Sequence, residues 1–395
     1  MKKLTLLIYL MLISALGFAQ WSSQTSGTAN NLYSVYMTST TTGYTVGYQG
    51  TILKTTNGGT NWMPMTSGTT ENLNTVFFPT ASIGYAGGGS CYSDFIIKTT
   101  DSGTSWSVVS QGNTDMVISI FFTDANTGWA VGDAGTIRKT TTAGATWTAQ
   151  TSGTTNFLNS VFFTSPTTGY AVGWNGTIIK TTNGGTTWTP QTSGTTDGLY
   201  SVYFVSATTG YIASNMGYVL KTTNGGATWN QLICSYSNDL VSVFFTSPDT
   251  GYVSSFYGSI FKTVDAGASW VYLPSGTSQV LYQIFFANSN IGYIVGSNGT
   301  ILKTINGGIH VEEIQLPESS INIYPNPASD IIEIESSKLK VQNLEIYNLQ
   351  GQQMMQTEFQ NQKKMKFDVS TLTKGIYLVK LKSESGVVNK KLIIQ

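Results

Sequence analysis

A tryptophan recurs along this chain at nearly constant spacing. Trp62, Trp106, Trp147, Trp188, Trp229 and Trp270 lie 44, 41, 41, 41 and 41 residues apart, Trp21 stands 41 before the first, and Val311 takes the same phase 41 after the last. A fixed period of this size marks units that cannot bury their apolar faces alone and must stack on their neighbours. Each copy carries the same parts: a run such as Leu199–Phe204, a glycine-aromatic run such as Gly169–Gly173, a run such as Gly176–Thr181, and a turn into the tryptophan. Four short strands per copy predict a propeller blade, with strands apolar on both faces because each blade lies between two others. No helical period competes with this reading.

The fold class expected is therefore all-β, a seven-bladed β-propeller over residues 20–310 followed by a small C-terminal β-sandwich. There are seven copies of the first three strands and eight positions in the tryptophan phase. The segment Trp21 to Gln24 is thus expected to supply the outer strand of the last blade and cover an otherwise open edge.

Composition narrows the functions. Only 10% of residues are charged, 20 Lys+Arg against 20 Asp+Glu, so net charge gives no field to attract nucleic acid. One His and two Cys cannot build a His-based zinc site or a disulfide framework, and no metal or cofactor is expected. Cys91 and Cys234 fall on blades too far apart round the ring for a disulfide.

The ends differ from the middle. Lys2 and Lys3, the apolar stretch Leu4–Leu16 and the small residues Gly17 and Ala19 predict a secretory signal peptide over 1–19. After its removal no membrane span is expected. Residues 311–320 read as a linker. The tail, 321–395, has short alternating runs separated by turn signals.

The turn before each tryptophan reads Thr-Thr-Asn-Gly-Gly-Thr-Thr-Trp at 181–188. It resembles the Asp-box, or bacterial neuraminidase, repeat. Asn57, Asp101, Asn183, Asn224, Asp265 and Asn306 fill its acid/amide slot, and Thr142 departs from it. A structural role is expected for these residues and for the six tryptophans Trp62 to Trp270. An Asx side chain caps turn amides, glycine supplies positive φ, and the indole packs against the neighbour. His310 stands in the last, degenerate copy and needs no function.

The whole repeat, with its Gly-Tyr and Gly-Thr-Ile-Leu-Lys-Thr phrases, resembles the propeller family of photosystem II assembly and stability factors. The resemblance implies the fold. Photosynthetic members are associated with an Arg-rich surface for a membrane-protein client, but Arg138 is the only Arg here, so photosystem assembly is not carried over. The tail resembles the type A sorting domain of the type IX (Por) secretion system in Tyr324-Pro325-Asn326-Pro327-Ala328, Ile346–Gly351, Leu372–Tyr377 and Lys390–Gln395. This implies engagement of the type IX machinery through 321–395, and a protein secreted from, or held on the outer surface of, a Gram-negative cell.

Alternating strand directions sort the acids by face. Asp101, Asp124, Asp249 and Asp265 fall on the Asp-box face. Glu71, Asp94, Asp115, Asp133, Asp197 and Asp239 fall on the opposite face, formed by turns from second to third strand and from outer strand to next inner strand. Tyr48, Tyr92, Trp174, Asn175, Phe256 and Tyr257 share that turn face as ligand-binding candidates, since aromatic rings with amides beside them suit sugars or extended peptides. The expected function is a non-catalytic glycan- or protein-binding, or adhesion, module. The alternative is a secreted glycoside hydrolase drawing two carboxylates from Glu71, Asp94, Asp115 and Asp133. A sialidase is excluded, because one Arg cannot form the cluster that clamps a carboxylate. A third reading, a periplasmic assembly factor, conflicts with a tail that directs export. The one Lys per blade is expected to cover apolar surface with its stem while its ammonium meets water or a carbonyl.

Overall fold

The computed structural model describes residues 21–90, 93–112, 115–235, 239–308, 321–336, 340–348, 353–383 and 386–395. The expected signal peptide, the linker, Cys91, Tyr92 and His310 lie outside these residues. The chain divides into two compact units, 1–309 and 310–395.

The described residues of the first unit form seven four-stranded antiparallel sheets, each a blade. Blade 1 holds Leu32–Met37, Gly43–Gly47, Ile52–Thr55 and Met63–Met65, from inner to outer strand. Blades 2 to 6 repeat this order, starting at Leu73, Val117, Leu158, Leu199 and Leu240. Blade 7 takes three strands from Leu281–Phe286, Gly292–Gly296 and Ile301–Thr304 and its outer strand from Ser22–Gln24. That strand pairs Ser22 with Lys303 and Gln24 with Ile301, as the extra tryptophan phase predicts. Second strands are buried apart from Ser90 at the end of that of blade 2, whereas outer strands show mostly exposed side chains, so the expectation of two apolar faces fails there. The outer strand has a neighbour on one side only.

Ring closure depends on three repeated contacts. The inner strand of each blade has an unpaired edge, and its buried N–H group facing the preceding blade needs an acceptor. Every inner strand shifts register after its first residue, as between Leu32 and Ser34. The following hydroxyl then accepts a hydrogen bond from the next blade: Ser34 from Val76, Thr75 from Ile120, Ser119 from Val161, Ser160 from Val202, Ser201 from Val243, and Ser242 from Ile284. The longer Gln283 closes the circle on the Val35 N–H at 2.7 Å.

The second contact is aromatic. Tyr44, Tyr85, Trp129, Tyr170, Tyr211 and Tyr252 each stack on the Phe of the following blade, with centroids 3.7–4.3 Å apart. The Asp-box indole meets that Phe edge-on, as Trp188 meets Phe163 at 5.9 Å. Nearer the axis, Tyr36, Phe77, Phe121, Phe162, Tyr203, Phe244 and Phe285 form a closed collar, each centroid 4.8–5.5 Å from the next.

The third contact uses the repeated Lys. Lys54, Lys98, Lys139, Lys180, Lys221, Lys262 and Lys303 donate at 2.6–2.8 Å to Asp-box carbonyls of the following blade, the last reaching Gly58 of blade 1. Each ammonium also lies 5.2–5.8 Å from the centroid of its own blade's aromatic ring.

The Asp-box turns are capped locally. Asn57, Asp101, Asn183, Asn224 and Asp265 each accept from the amide four residues on, at 2.8–3.0 Å, and the Thr142 hydroxyl does the same in blade 3. Hydrogen bonds from Ser105, and from Ser269, hold the Asp101 and Asp265 carboxyls down at about 2. A depressed carboxyl stabilises the fold above the usual carboxylate range and loses that effect as pH falls toward 2. Gly185 has φ +89, and a Cβ there would lie 2.9 Å from the Trp129 indole nitrogen, so this slot requires glycine.

The second unit has two sheets, one of Ile321–Tyr324, Ile331–Ser336 and Lys364–Asp368, the other ordered Gln353–Gln362, Val341–Tyr347, Gly375–Ser383 and Gly386–Ile394. Residues of both, including Ile334, Leu344, Phe367, Val379 and Leu392, share one core. The Asn326 side chain donates to Lys391 O at 2.7 Å and accepts from Ile393 N–H at 2.9 Å, tying the Tyr-Pro-Asn-Pro segment to the last strand.

The serine circle makes a direct prediction. Ser34→Ala leaves the buried Val76 N–H without its acceptor and should cost about 1–3 kcal/mol, read as a lower urea midpoint at unchanged slope. An unshifted midpoint would show that the circle does not bear on stability.

Candidate functional site

The face opposite the Asp-boxes is built from the second-to-third turns and the connections between blades. Several of these turns are tight three-residue elements, Tyr48–Gly50 in blade 1, Asp133–Gly135 in blade 3 and Asn215–Gly217 in blade 5. The middle residue of the turn adopts left-handed backbone at Gln49, Ala134, Asn175, Met216 and Asn298. This conformation points the side chain outward at an energetic cost for residues other than Gly or Asn.

Among the candidates, Tyr48 is 42% exposed, Trp174 48% and Tyr257 62%. Trp174 stacks on Phe157, centroids 4.8 Å apart. Phe256 is half-buried, edge-on to Tyr200 at 5.6 Å. The Asn175 side chain donates to the Asn156 amide oxygen at 3.1 Å. Sequence reasoning missed Met216, 62% exposed on the turn of blade 5. It occupies the repeat slot of Asn175 and Tyr257, so aligning the copies would have found it.

The acids do not form one cluster. Asp94 was expected in an open turn but is fully buried, bonded to Ser110 Oγ at 3.0 Å and ion-paired with Arg138. The cause is the longer hairpin of blade 2. Gly84–Ser90 and Ser93–Thr99 continue pairing to its tip, placing Asp94 opposite Gly89 within the ladder. Arg138 fills a slot that is Leu53, Ile97, Ile179, Leu220, Phe261 or Leu302 in other blades, and Asp94 balances its charge. Asp115 and Asp133 do come together at one turn. Asp115 accepts from Thr136 Oγ1 at 2.7 Å, and Asp133 caps the Ala134 amide at 2.6 Å. Glu71 lines a depression of about 1010 Å³ with Ser93 and Phe95, and Asp115 lines another of about 1040 Å³ with Arg138 and Gln150. Cys234 is mostly buried, and burial pushes its thiol well above the usual thiol range; such a thiol is inert.

Residues 13–156 and 151–273 match the family described as photosynthesis system II assembly factor YCF48. The chain belongs to that family. The family's fold is the one found here. A solved YCF48 bound to D1 peptide superposes with a TM-score of 0.63 at 20% identity, over 74% of this chain and 99% of that one. YCF48 from Cyanidioschyzon merolae gives 0.62 at 20% identity, over 72% and 98%. The GH74 enzyme of Niastella koreensis gives 0.60 at 16% identity, over 80% of this chain and 59% of that one. Likeness at these identities concerns the fold alone.

Residues 322–395 match the secretion system C-terminal sorting domain. The protein is therefore carried by the type IX system and is secreted or displayed at the cell surface. No helix among the described residues is long and apolar enough to cross a membrane. Beta-agarase D of Zobellia galactanivorans is 34% identical over 79 residues, 20% of this chain and 16% of that enzyme. The chain thus spans a small part of that curated relative.

The Asp94–Arg138 pair can be tested by a double-mutant cycle. Arg138→Leu alone strands a buried carboxylate and should cost about 3–5 kcal/mol, while Arg138→Leu with Asp94→Ala should recover much of that loss. A double-variant loss equal to the sum of the losses of Arg138→Leu and Asp94→Ala measured singly would mean the pair is not coupled.

Proposed function

We propose that this YCF48-family propeller is a non-catalytic binding module at, or released from, the cell surface, and that it takes a glycan or protein ligand on the turn face. The observation that carries this reading is the run of Trp174, Met216 and Tyr257, exposed on three successive turns of a ring locked at every interface. Aromatic surface held on a rigid frame loses little entropy when a ligand stacks on it. The solved relative holding a D1 peptide supports a polypeptide among the possible ligands.

A hydrolase reading asks for two carboxylates facing one substrate. Burial of Asp94 against Arg138 withdraws one candidate, and Glu71 and Asp115 line separate depressions. Asp115 and Asp133 remain as the pair to challenge. Incubating the full chain with a polysaccharide panel should release no new reducing ends. Release that disappears with Asp133→Asn would overturn the non-catalytic assignment.

The sorting domain has its own test. Deleting 321–395 should leave the propeller inside the cell envelope, measured by immunoblot of medium, outer membrane and periplasm. Unchanged amounts in the medium would contradict type IX export.

A further inference from the structure

Zero net charge conceals a segregated molecule. The propeller holds eight basic residues, seven Lys and Arg138. All seven Lys are drawn to Asp-box carbonyls on one face, and Arg138 is buried with Asp94. The turn face keeps Glu71, Asp115, Asp133, Asp197 and Asp239, all partly exposed, and among the described residues its one nearby cation is the buried Arg138 in the depression that Asp115 lines.

Two of these acids are interleaved with the exposed apolar side chains. The Asp197 carbonyl accepts from Gly176 N–H at 2.7 Å, beside the turn of Trp174. Asp239 accepts from Met216 N–H through Oδ1 at 3.0 Å and from Phe256 N–H through its carbonyl at 3.1 Å, so it bridges the turns of blades 5 and 6. Around the rim the order is Trp174, Asp197, Met216, Asp239, Tyr257.

We propose that this arc docks an extended polypeptide rich in Lys or Arg. The inference rests on the binding-module reading and deepens it by naming the partner's chemistry. A basic side chain laid over Trp174 or Tyr257 gains a cation–π contact, with a carboxylate beside it to meet its charge. Its aliphatic stem covers Met216. Along this arc polyanions meet Asp197 and Asp239, so sulfated or uronic polysaccharides are disfavoured.

The test titrates the full chain, at low and at high salt, with three fluorescent probes: a decapeptide alternating Arg and Ser, its Glu-Ser counterpart, and a neutral oligosaccharide. The Arg peptide should bind, the Glu peptide should not, and raised salt should weaken binding. Asp197→Asn with Asp239→Asn keeps the Met216 cap through the amide oxygen and should reduce affinity about tenfold or more. Trp174→Ala should also weaken it, whereas Asp124→Asn with Asp249→Asn, on the other face, should leave it unchanged. Equal binding of both peptides, or loss of binding only in the Asp124/Asp249 variant, overturns the proposal. Binding of the oligosaccharide alone, abolished by Trp174→Ala, overturns the cationic partner but leaves the binding module standing. Failure of every probe counts against both.

Discussion

The structure depends on satisfying one unpaired backbone edge, repeated at every blade. An inner strand paired only on its outer side leaves an N–H group facing the preceding blade. Leaving such a group buried without a partner costs about 1–3 kcal/mol, and seven would be prohibitive against the stability of one domain. A register shift in each inner strand turns a hydroxyl toward the neighbouring amide, so each blade completes the next. An open row of these blades would expose one such amide and an apolar face at each end, and closure removes all of these. Gln283, longer than the serine it replaces, and the borrowed strand Ser22–Gln24 both fall in blade 7, where the circle is joined.

The fold was largely legible because its period is carried by large residues in fixed slots. The eighth tryptophan phase located the joining strand correctly, since a strand at the far end of the chain can pair only with an unpaired edge. The Lys clamp was half legible. A carbonyl partner was anticipated, but not that it belongs to the next blade, because sequence spacing carries no information across an interface. The serine circle was invisible, for its cause is a register shift and small polar residues have no periodic signature of burial.

The candidate site was less legible, and the errors share one physical origin. Alternating strand direction puts Asp94 on the turn face, but the copy that forms blade 2 is three residues longer than the others. Those residues lengthen a hairpin, and the added ladder draws Asp94 inward to face Arg138. Met216 went unremarked because methionine in a turn gives no signal alone. Its meaning comes from sharing a slot with Asn175 and Tyr257 on a backbone that holds it outward.

Comparing the seven copies within this one chain separates frame from function. Every copy needs the same contacts to close the ring, so slots that close it scarcely vary. The clamp is Lys in all seven, and the inner slot is Ser or Thr in six. In the six blades with a short second-to-third turn its first residue reads Tyr48, Asp133, Trp174, Asn215, Phe256 and Ser297, with no property common to all. A slot that tolerates six dissimilar answers is not fixed by closure, and its side chains can be set by what they touch. In the copies where that slot or the next carries an aromatic or Met216, the inter-blade connections contribute Asp197 and Asp239 while cations are held on the far side. Holding Lys at the Asp-boxes thus stabilises the ring and also keeps those seven cations away from the arc of Trp174, Asp197, Met216, Asp239 and Tyr257.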